Sequence, residues 1–324
     1  MKQLLYCAVL FLATAGHHLK AEPFNFVALG DMPYGDQSVS NPIYEKLIDA
    51  VNKRKPAFVV HLGDTLGGIE CSNRVLNDQL NYLNSFQSAA VYVPGDNEWT
   101  DCHRDSAGNY DPVERLAYIR KTYFADPSKS FGANPFQLES QASEYADHFP
   151  KYVENTRFSK NGVLFIQAHV VGSNNNLEAR SLSAVKEFFE RDEANLAWLI
   201  SSFNKAHEND AKAVVLAIHA DMFEFGFGPF WNAEAFLRHS GFKNFGEEFV
   251  RQAVKFKKPI LLIYGDSHKF RIWRPFPNGA PNITAMEVFG AQNMHAVEVS
   301  VDPQDSAVFG FKPVLNPSAP WVFK

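Results

Sequence analysis

Cysteine is scarce in this chain, with three in 324 residues, one of them Cys7 inside the first 21 positions. That leaves one intrachain pairing to consider, Cys71 with Cys102. Long apolar runs are also missing: after residue 21 no stretch is long and apolar enough to cross a bilayer as a helix. Blocks of like charge, internal repeats and low-complexity linkers are absent as well. With a formal net charge of −5, the chain has no general attraction for nucleic acid or anionic lipid. A Gly-rich phosphate turn is lacking too. Asp31-Met32-Pro33-Tyr34-Gly35, after the first strand-like run, does not supply the spacing of a dinucleotide-binding turn.

What is present begins with a leader. Met1-Lys2 give a positive start, Leu4 to Ala15 an apolar run of signal-peptide length, and Leu19-Lys20-Ala21 ends on a small residue. Residues 1–21 read as a secretory signal and 22–324 as one domain of an exported, periplasmic or extracellular protein. Tyr6 beside Cys7 is too large for lipid attachment at that cysteine. Removing Lys2 and Lys20 moves the formal charge from −5 to −7. In an oxidising compartment a Cys71–Cys102 disulfide would stabilise by roughly 3 to 4 kcal/mol and brace two loops, the alternative being two free thiols.

Strands and helices alternate along the chain. Phe24–Leu29, Phe58–Leu62, Ala90–Val93, Val163–Val171, Val214–Ile218 and Ile260–Tyr264 are short apolar, β-rich runs. Helical spacing marks Pro42–Lys55, Asn77–Ser85, Ser183–Ala206 and Phe245–Phe256, and Asp111-Pro112 opens another helix. Asn161-Gly162 reads as a hairpin turn between Arg157–Lys160 and the strand that follows. Ile283–Val288, His295–Val301 and Val308–Phe311 read as a terminal antiparallel meander. The pattern predicts a mixed α/β fold of two packed sheets covered by helices.

The chemistry sits where these strands end. Gly30-Asp31, Gly63-Asp64, Gly95-Asp96-Asn97-Glu98 and Gly265-Asp266-Ser267-His268 each follow a buried run, and Ile218-His219-Ala220-Asp221 joins them. One Gly-Asp after a strand is ordinary turn chemistry. Four such dipeptides at strand ends, with His219 and His268, point instead to one shared metal site where the loops converge.

The order of these loops resembles the calcineurin-like metallophosphoesterases, a superfamily that includes the purple acid phosphatases. Asp31-Met32-Pro33, Gly63-Asp64, Gly95-Asp96-Asn97-Glu98, His219 and Gly265-Asp266-Ser267-His268 stand where that family carries Asp-x-His, Gly-Asp, Gly-Asn-His-Glu, a lone His and Gly-His-x-His. The resemblance implies a four-layer α/β/β/α sandwich of two mixed sheets flanked by helices. It implies that Asp64 bridges two metals, with Asp31 and His268 on the first and Asp96, His219 and Asp266 on the second. Pro33 has no ligand atom where the family's first His stands, and Gly67 occupies a position where a Tyr ligand is used, so the first site is expected to be weak or open, with Tyr34 as a substitute. The cofactor would be one or two divalent ions. Carboxylate-rich donors favour Mn, Mg, Ca or Fe, with Zn not excluded.

The function this implies is hydrolysis of a small-molecule phosphate mono- or diester through a metal-bound hydroxide. Asn97, where the family has its leaving-group His, cannot donate a proton as an acid. His103 is a replacement or a solvated loop histidine, and Arg104 a phosphate contact or an ion-pair partner of Asp101 or Asp105. Gly172-Ser173-Asn174-Asn175-Asn176 offers amides to a substrate, and Met222, Phe223, Phe225, Phe227, Phe230 and Trp231 offer an apolar wall. The alternative is a catalytically impaired relative that keeps the scaffold for binding, as Pro33 and Asn97 suggest.

Overall fold

Strand β1 (Phe24–Leu29) shows how the layers are encoded. Phe26 and Ala28 face one apolar cluster while Val27 and Leu29 face another, all of them fully buried, so the strand needs cover on both sides. The computed structural model describes residues 21–225 and 233–319; nearly all of the expected leader, and Phe227, Phe230 and Trp231, lie outside them. After β1 come α1 (Gln37–Arg54), β2 (Val59–His61), α2 (Asn73–Ser85), β3 (Ala90–Tyr92), α3 (Pro112–Tyr123), β4 (Glu139–Ser140), β5 (Thr156–Lys160), β6 (Val163–Gln167) and α4 (Leu182–Glu208). The chain continues through β7 (Ala213–Ala217), α5 (Ala233–His239), α6 (Lys243–Phe256), β8 (Ile260–Tyr264), β9 (Arg271–Trp273), β10 (Ile283–Glu287), β11 (Ala296–Val301) and β12 (Phe309–Val314).

Two mixed sheets result. The first has five strands in the order β12-β11-β1-β2-β3, and the second has seven in the order β4-β5-β6-β7-β8-β10-β9. β1, β2 and β3 run parallel, with Val27 opposite Val59 and Val59 opposite Ala90. In the second sheet β6, β7, β8 and β10 are parallel. Tyr44, Leu47 and Val51 of α1, Val75 and Leu76 of α2 and Leu116 and Ile119 of α3 pack on the outer face of the first sheet. Trp198, Leu199 and Phe203 of α4 and Phe245, Phe249 and Phe256 of α6 cover the outer face of the second. The inner faces meet in a third cluster, in which the Phe58 ring lies 5.1 Å from Phe26, 5.0 Å from Phe158 and 4.9 Å from Phe165. This is the expected four-layer sandwich.

Local signals are met where their chemistry is local. Asp111 Oδ1 accepts from the Val113 and Glu114 amides at 2.8 and 3.2 Å, capping α3 with Pro112 in its first turn. Asn161 and Gly162, both at positive φ, turn β5 back onto β6 with Lys160 opposite Val163. The terminal meander is not formed as expected. Ile283–Glu287 joins the second sheet beside β8, and only β11 and β12 pair with each other, in the first. An apolar run shows that a strand is buried but not which sheet receives it. Among the described residues no helix is long and apolar enough to cross a membrane.

Candidate metal centre

Every acidic loop singled out in the sequence sits at the C-terminal end of a parallel strand. Asp31 follows β1, Asp64 follows β2, Asp96 follows β3, His219 follows β7, and Asp266 follows β8. Backbone bonds knit the loops within each sheet: the Asp31 amide donates to Gly63 O at 3.0 Å and the Gly265 amide to His219 O at 2.9 Å. One side chain bridges the sheets, since His219 Nδ1 lies 2.6 Å from Leu62 O. A carbonyl can only accept, so Nδ1 carries the proton and Nε2 is turned to the acids. Asp31, Asp64 and Asp266 all adopt positive φ, a strained backbone that concentrates at functional sites.

The cluster is tight, and all of it is buried but the half-buried Asp266. Asp31, Asp64 and His219 each offer a ligand atom within 4.8 Å of the others, and so do Asp96, His219 and Asp266. His219 Nε2 is 3.1 Å from Asp96 Oδ1 and 3.4 Å from Asp64 Oδ1. The Asp266 amide donates to Asp31 Oδ1 at 2.9 Å, while Asp31 Oδ2 is buried without a hydrogen-bond partner. His268 stands farther off. Its Nε2 is 3.8 Å from Asp31 Oδ1, its side chain is 24% exposed, and its ring meets Tyr34 edge-on at 5.2 Å. His219 rather than His268 thus supplies the imidazole nearest to both groups.

No family model and no curated protein matches the sequence. The structure matches that of a dimetal phosphatase from Danio rerio with a TM-score of 0.56 and 13% identity, over 91% of this chain and 100% of that one. The chain has the calcineurin-like metallophosphoesterase fold. At that identity the likeness establishes the fold, and the chemistry rests on this chain's own side chains.

Those side chains suit a divalent cation in this metallophosphoesterase-fold chain. Burial raises Asp31 to about 7 and holds Asp64 and Asp266 well above the usual carboxylate range, because ionised carboxyls cannot crowd together in a dry pocket uncompensated. Burial opposes charge on His219, but Asp64, Asp96 and Asp266 outweigh it and hold its pKa well above 6.5. Asp96 is held below the usual range despite its burial, chiefly by its bond to His219. Without a cation the cluster therefore needs protons on carboxyls and imidazole, and a metal would replace them. Glycine makes the approach possible. A Cβ at Gly95 would fall 2.1 Å from Asp64 Oδ1, one at Gly172 2.6 Å from Asp96 Oδ2, and one at Gly265 2.3 Å from Asp31 Oδ2.

Tyr34 and Asn97 hold Asp64. The Tyr34 hydroxyl donates to Asp64 Oδ2, and Asn97 Nδ2 donates to the same oxygen at 2.7 Å while its backbone amide donates to Oδ1 at 3.0 Å. Tyr34 reaches in because residue 67 is glycine, where a Cβ would meet the tyrosine ring at 2.1 Å. Glu98, given no role by sequence reasoning, clamps the loops by accepting from the amides of Asp64 at 3.1 Å, Thr65 at 2.5 Å and Gly95 at 2.9 Å. Ser173 was also missed as a support of the site: its Oγ lies 2.9 Å from Asp96 Oδ2 and 2.8 Å from Asp101 Oδ1. Cys71 and Cys102 are bonded, with Cα atoms 5.7 Å apart, joining the segments beyond Asp64 and Asp96.

Other candidates have partners within the fold. Arg104 pairs with Asp101 at 2.7 Å, and His103 Nδ1 lies 2.7 Å from Thr100 O. The asparagines after Gly172 form a left-handed turn whose amides serve the fold: Asn174 donates to Leu237 O at 2.7 Å, Asn175 to Gly241 O at 3.1 Å and Asn176 to Glu187 at 2.9 Å. Phe223 packs into the core against Trp273 at 5.1 Å, leaving Phe225 half exposed. An open cavity of about 420 Å³ extends from Asp266 past Ser173, Asn174 and Asp221 to Phe225 and His239. A larger one, about 690 Å³, lies away from the acids, lined by Val113, Arg120, Lys151 and Glu187.

Proposed function

We propose that this chain is a metal-dependent phosphoesterase that hydrolyses a phosphate mono- or diester. The observation that carries the proposal is the set of Asp31, Asp64, Asp96 and Asp266 around His219 Nε2, all buried but the half-buried Asp266, on the fold of a dimetal phosphatase. Asp31 and Asp64 on one side, and Asp96 and Asp266 on the other, would hold one or two divalent ions, with His219 between them and His268 at the edge. A cation so held supplies Lewis acidity to the phosphoryl oxygens and acidifies water.

The chain's residues do the rest. Leu62 O fixes the His219 tautomer, Tyr34 and Asn97 fix the Asp64 carboxylate, and Ser173 fixes Asp96. Asn97 has no ionisable proton, so the departing alcohol takes its proton from water. The second reading, a binding protein without turnover, draws on the same commitment of Asn97 to Asp64.

Metal analysis of the purified protein, with hydrolysis of p-nitrophenyl phosphate and its diester in Mn²⁺, Fe²⁺, Mg²⁺, Ca²⁺ and Zn²⁺, tests the proposal. Bound metal and chelator-sensitive turnover are expected. Residues around a metal's ligands are commonly worth about 10- to 100-fold. Asp64→Asn, which alters a ligand itself, should reduce kcat/KM by more than that and deplete the metal. Metal without turnover would favour the binding reading, and neither would overturn both.

A further inference from the structure

The cavity beside the centre ends on a side chain that nothing above employs. His239 closes α5 and is 95% buried by the fold, yet neither of its ring nitrogens has a hydrogen-bond partner. Its ring lies 4.5 Å from Phe225 and 5.9 Å from Phe242. A buried donor and acceptor left unmatched lose their hydration without compensation, so such a group calls for an explanation. The ring lines the same cavity as Asp266 and Ser173, so a phosphate at the centre would extend its alcohol toward His239.

The lining defines that alcohol. Asp221, Glu178 and Glu224 border the cavity with carboxylates that keep acceptor sites for hydroxyls although each is ion-paired, Asp221 with Arg271 at 2.7 Å, Glu178 with Arg180 and Glu224 with Lys269 at 3.9 Å. Leu237, Phe225 and Phe242 offer an apolar surface to C–H groups. Arg238 lines the cavity with its charge paired to Glu234 at 3.3 Å and its guanidinium over the Phe225 ring. Burial foremost, with Arg238 beside it, lowers the His239 pKa, so the ring is a neutral donor and acceptor rather than a cation for phosphate. At about 420 Å³ the space falls in the range of small-molecule sites.

We propose that His239 is a specificity-determining residue, hydrogen-bonding the neutral, hydroxyl-rich alcohol of the substrate, a sugar or a nucleoside, in the cavity beside the acidic cluster. The assignment rests on the phosphoesterase reading for the position of the phosphate, but its binding arm does not depend on turnover.

The test compares wild type, His239→Phe and His239→Gln on glucose 6-phosphate, adenosine 5′-monophosphate and phenyl phosphate, with melting temperature and metal content measured alongside. Calorimetric titration with the first two compounds is run in parallel. The ratio of kcat/KM for a sugar-bearing ester to that for phenyl phosphate should fall at least tenfold in His239→Phe, mainly through KM, with partial recovery in His239→Gln. The two sugar-bearing probes separate a sugar from a nucleoside pocket. Equal losses on all three esters, or no loss, would overturn the assignment. If wild type turns over no ester but binds one of the two probes at least tenfold more tightly than His239→Phe does, the pocket stands and the hydrolytic reading falls. If it neither turns over nor binds, both fall.

Discussion

Asp64 is held from three sides, and Tyr34 shows what that hold requires of its neighbours. The tyrosine was legible only as a spare ligand, because its contact with Asp64 depends on the absence of a side chain at position 67, on a different loop. Gly67→Ala should therefore destabilise the protein by about 1 to 3 kcal/mol through overpacking. In a Tyr34→Ala background the same change should cost less than half as much, which urea unfolding of the four proteins would measure; equal costs would show that the ring is not the obstacle. Asp31, Asp96 and Asp266 were legible because Gly-Asp after an apolar run marks a strand end. The support from Glu98 and Ser173 was not, since hydrogen bonds across 33 and 77 residues leave no periodic trace.

At the level of elements, the continuous apolar runs of β1, β6, β7 and β8 were readable, and each strand lies between two covered faces. The partners of the last strands were not readable, because β10 satisfies its apolar residues equally well beside β8. The loop after Val171 was read as a ligand surface. Four successive residues at positive φ, Ser173 to Asn176, spend their side chains on the site and the fold instead. Between β2 and α3 the chain has little regular structure apart from α2 and β3, and there the Cys71–Cys102 bond closes a loop of sequence separation 31. Reduction, or Cys71→Ser with Cys102→Ser, should lower stability by about 3 to 4 kcal/mol. Denaturation midpoints with and without reductant would show it, and an unchanged midpoint would mean that neighbouring contacts already hold the segment.

Across the whole molecule, a buried polar network ties α3 to α4 and the β6 loop. Arg120 meets Glu154 at 2.5 Å, His169 Nδ1 lies 2.8 Å from Glu154, and Arg191 meets Glu187 at 2.7 Å. Burial foremost, with Arg191 and Arg120 nearby, lowers His169 to about 4, against about 6.5 when exposed. The unfolded chain then binds the proton more readily, so this contribution is complete above pH 6.5 and is lost as pH falls toward 4, worth roughly 3 kcal/mol in all. Unfolding at pH 4.5 and 7.5 should show a smaller difference for His169→Gln than for wild type; equal differences would refute the assignment. The bond between Asp266 N and Asp31 Oδ1 joins residues 235 positions apart, and His219 reaches Leu62 across 157. Contacts of such range form late, because the loop they close must be ordered before they contribute. On the proposed function, a partly folded chain would have no place for a cation, and metal uptake would be a readout of completed folding.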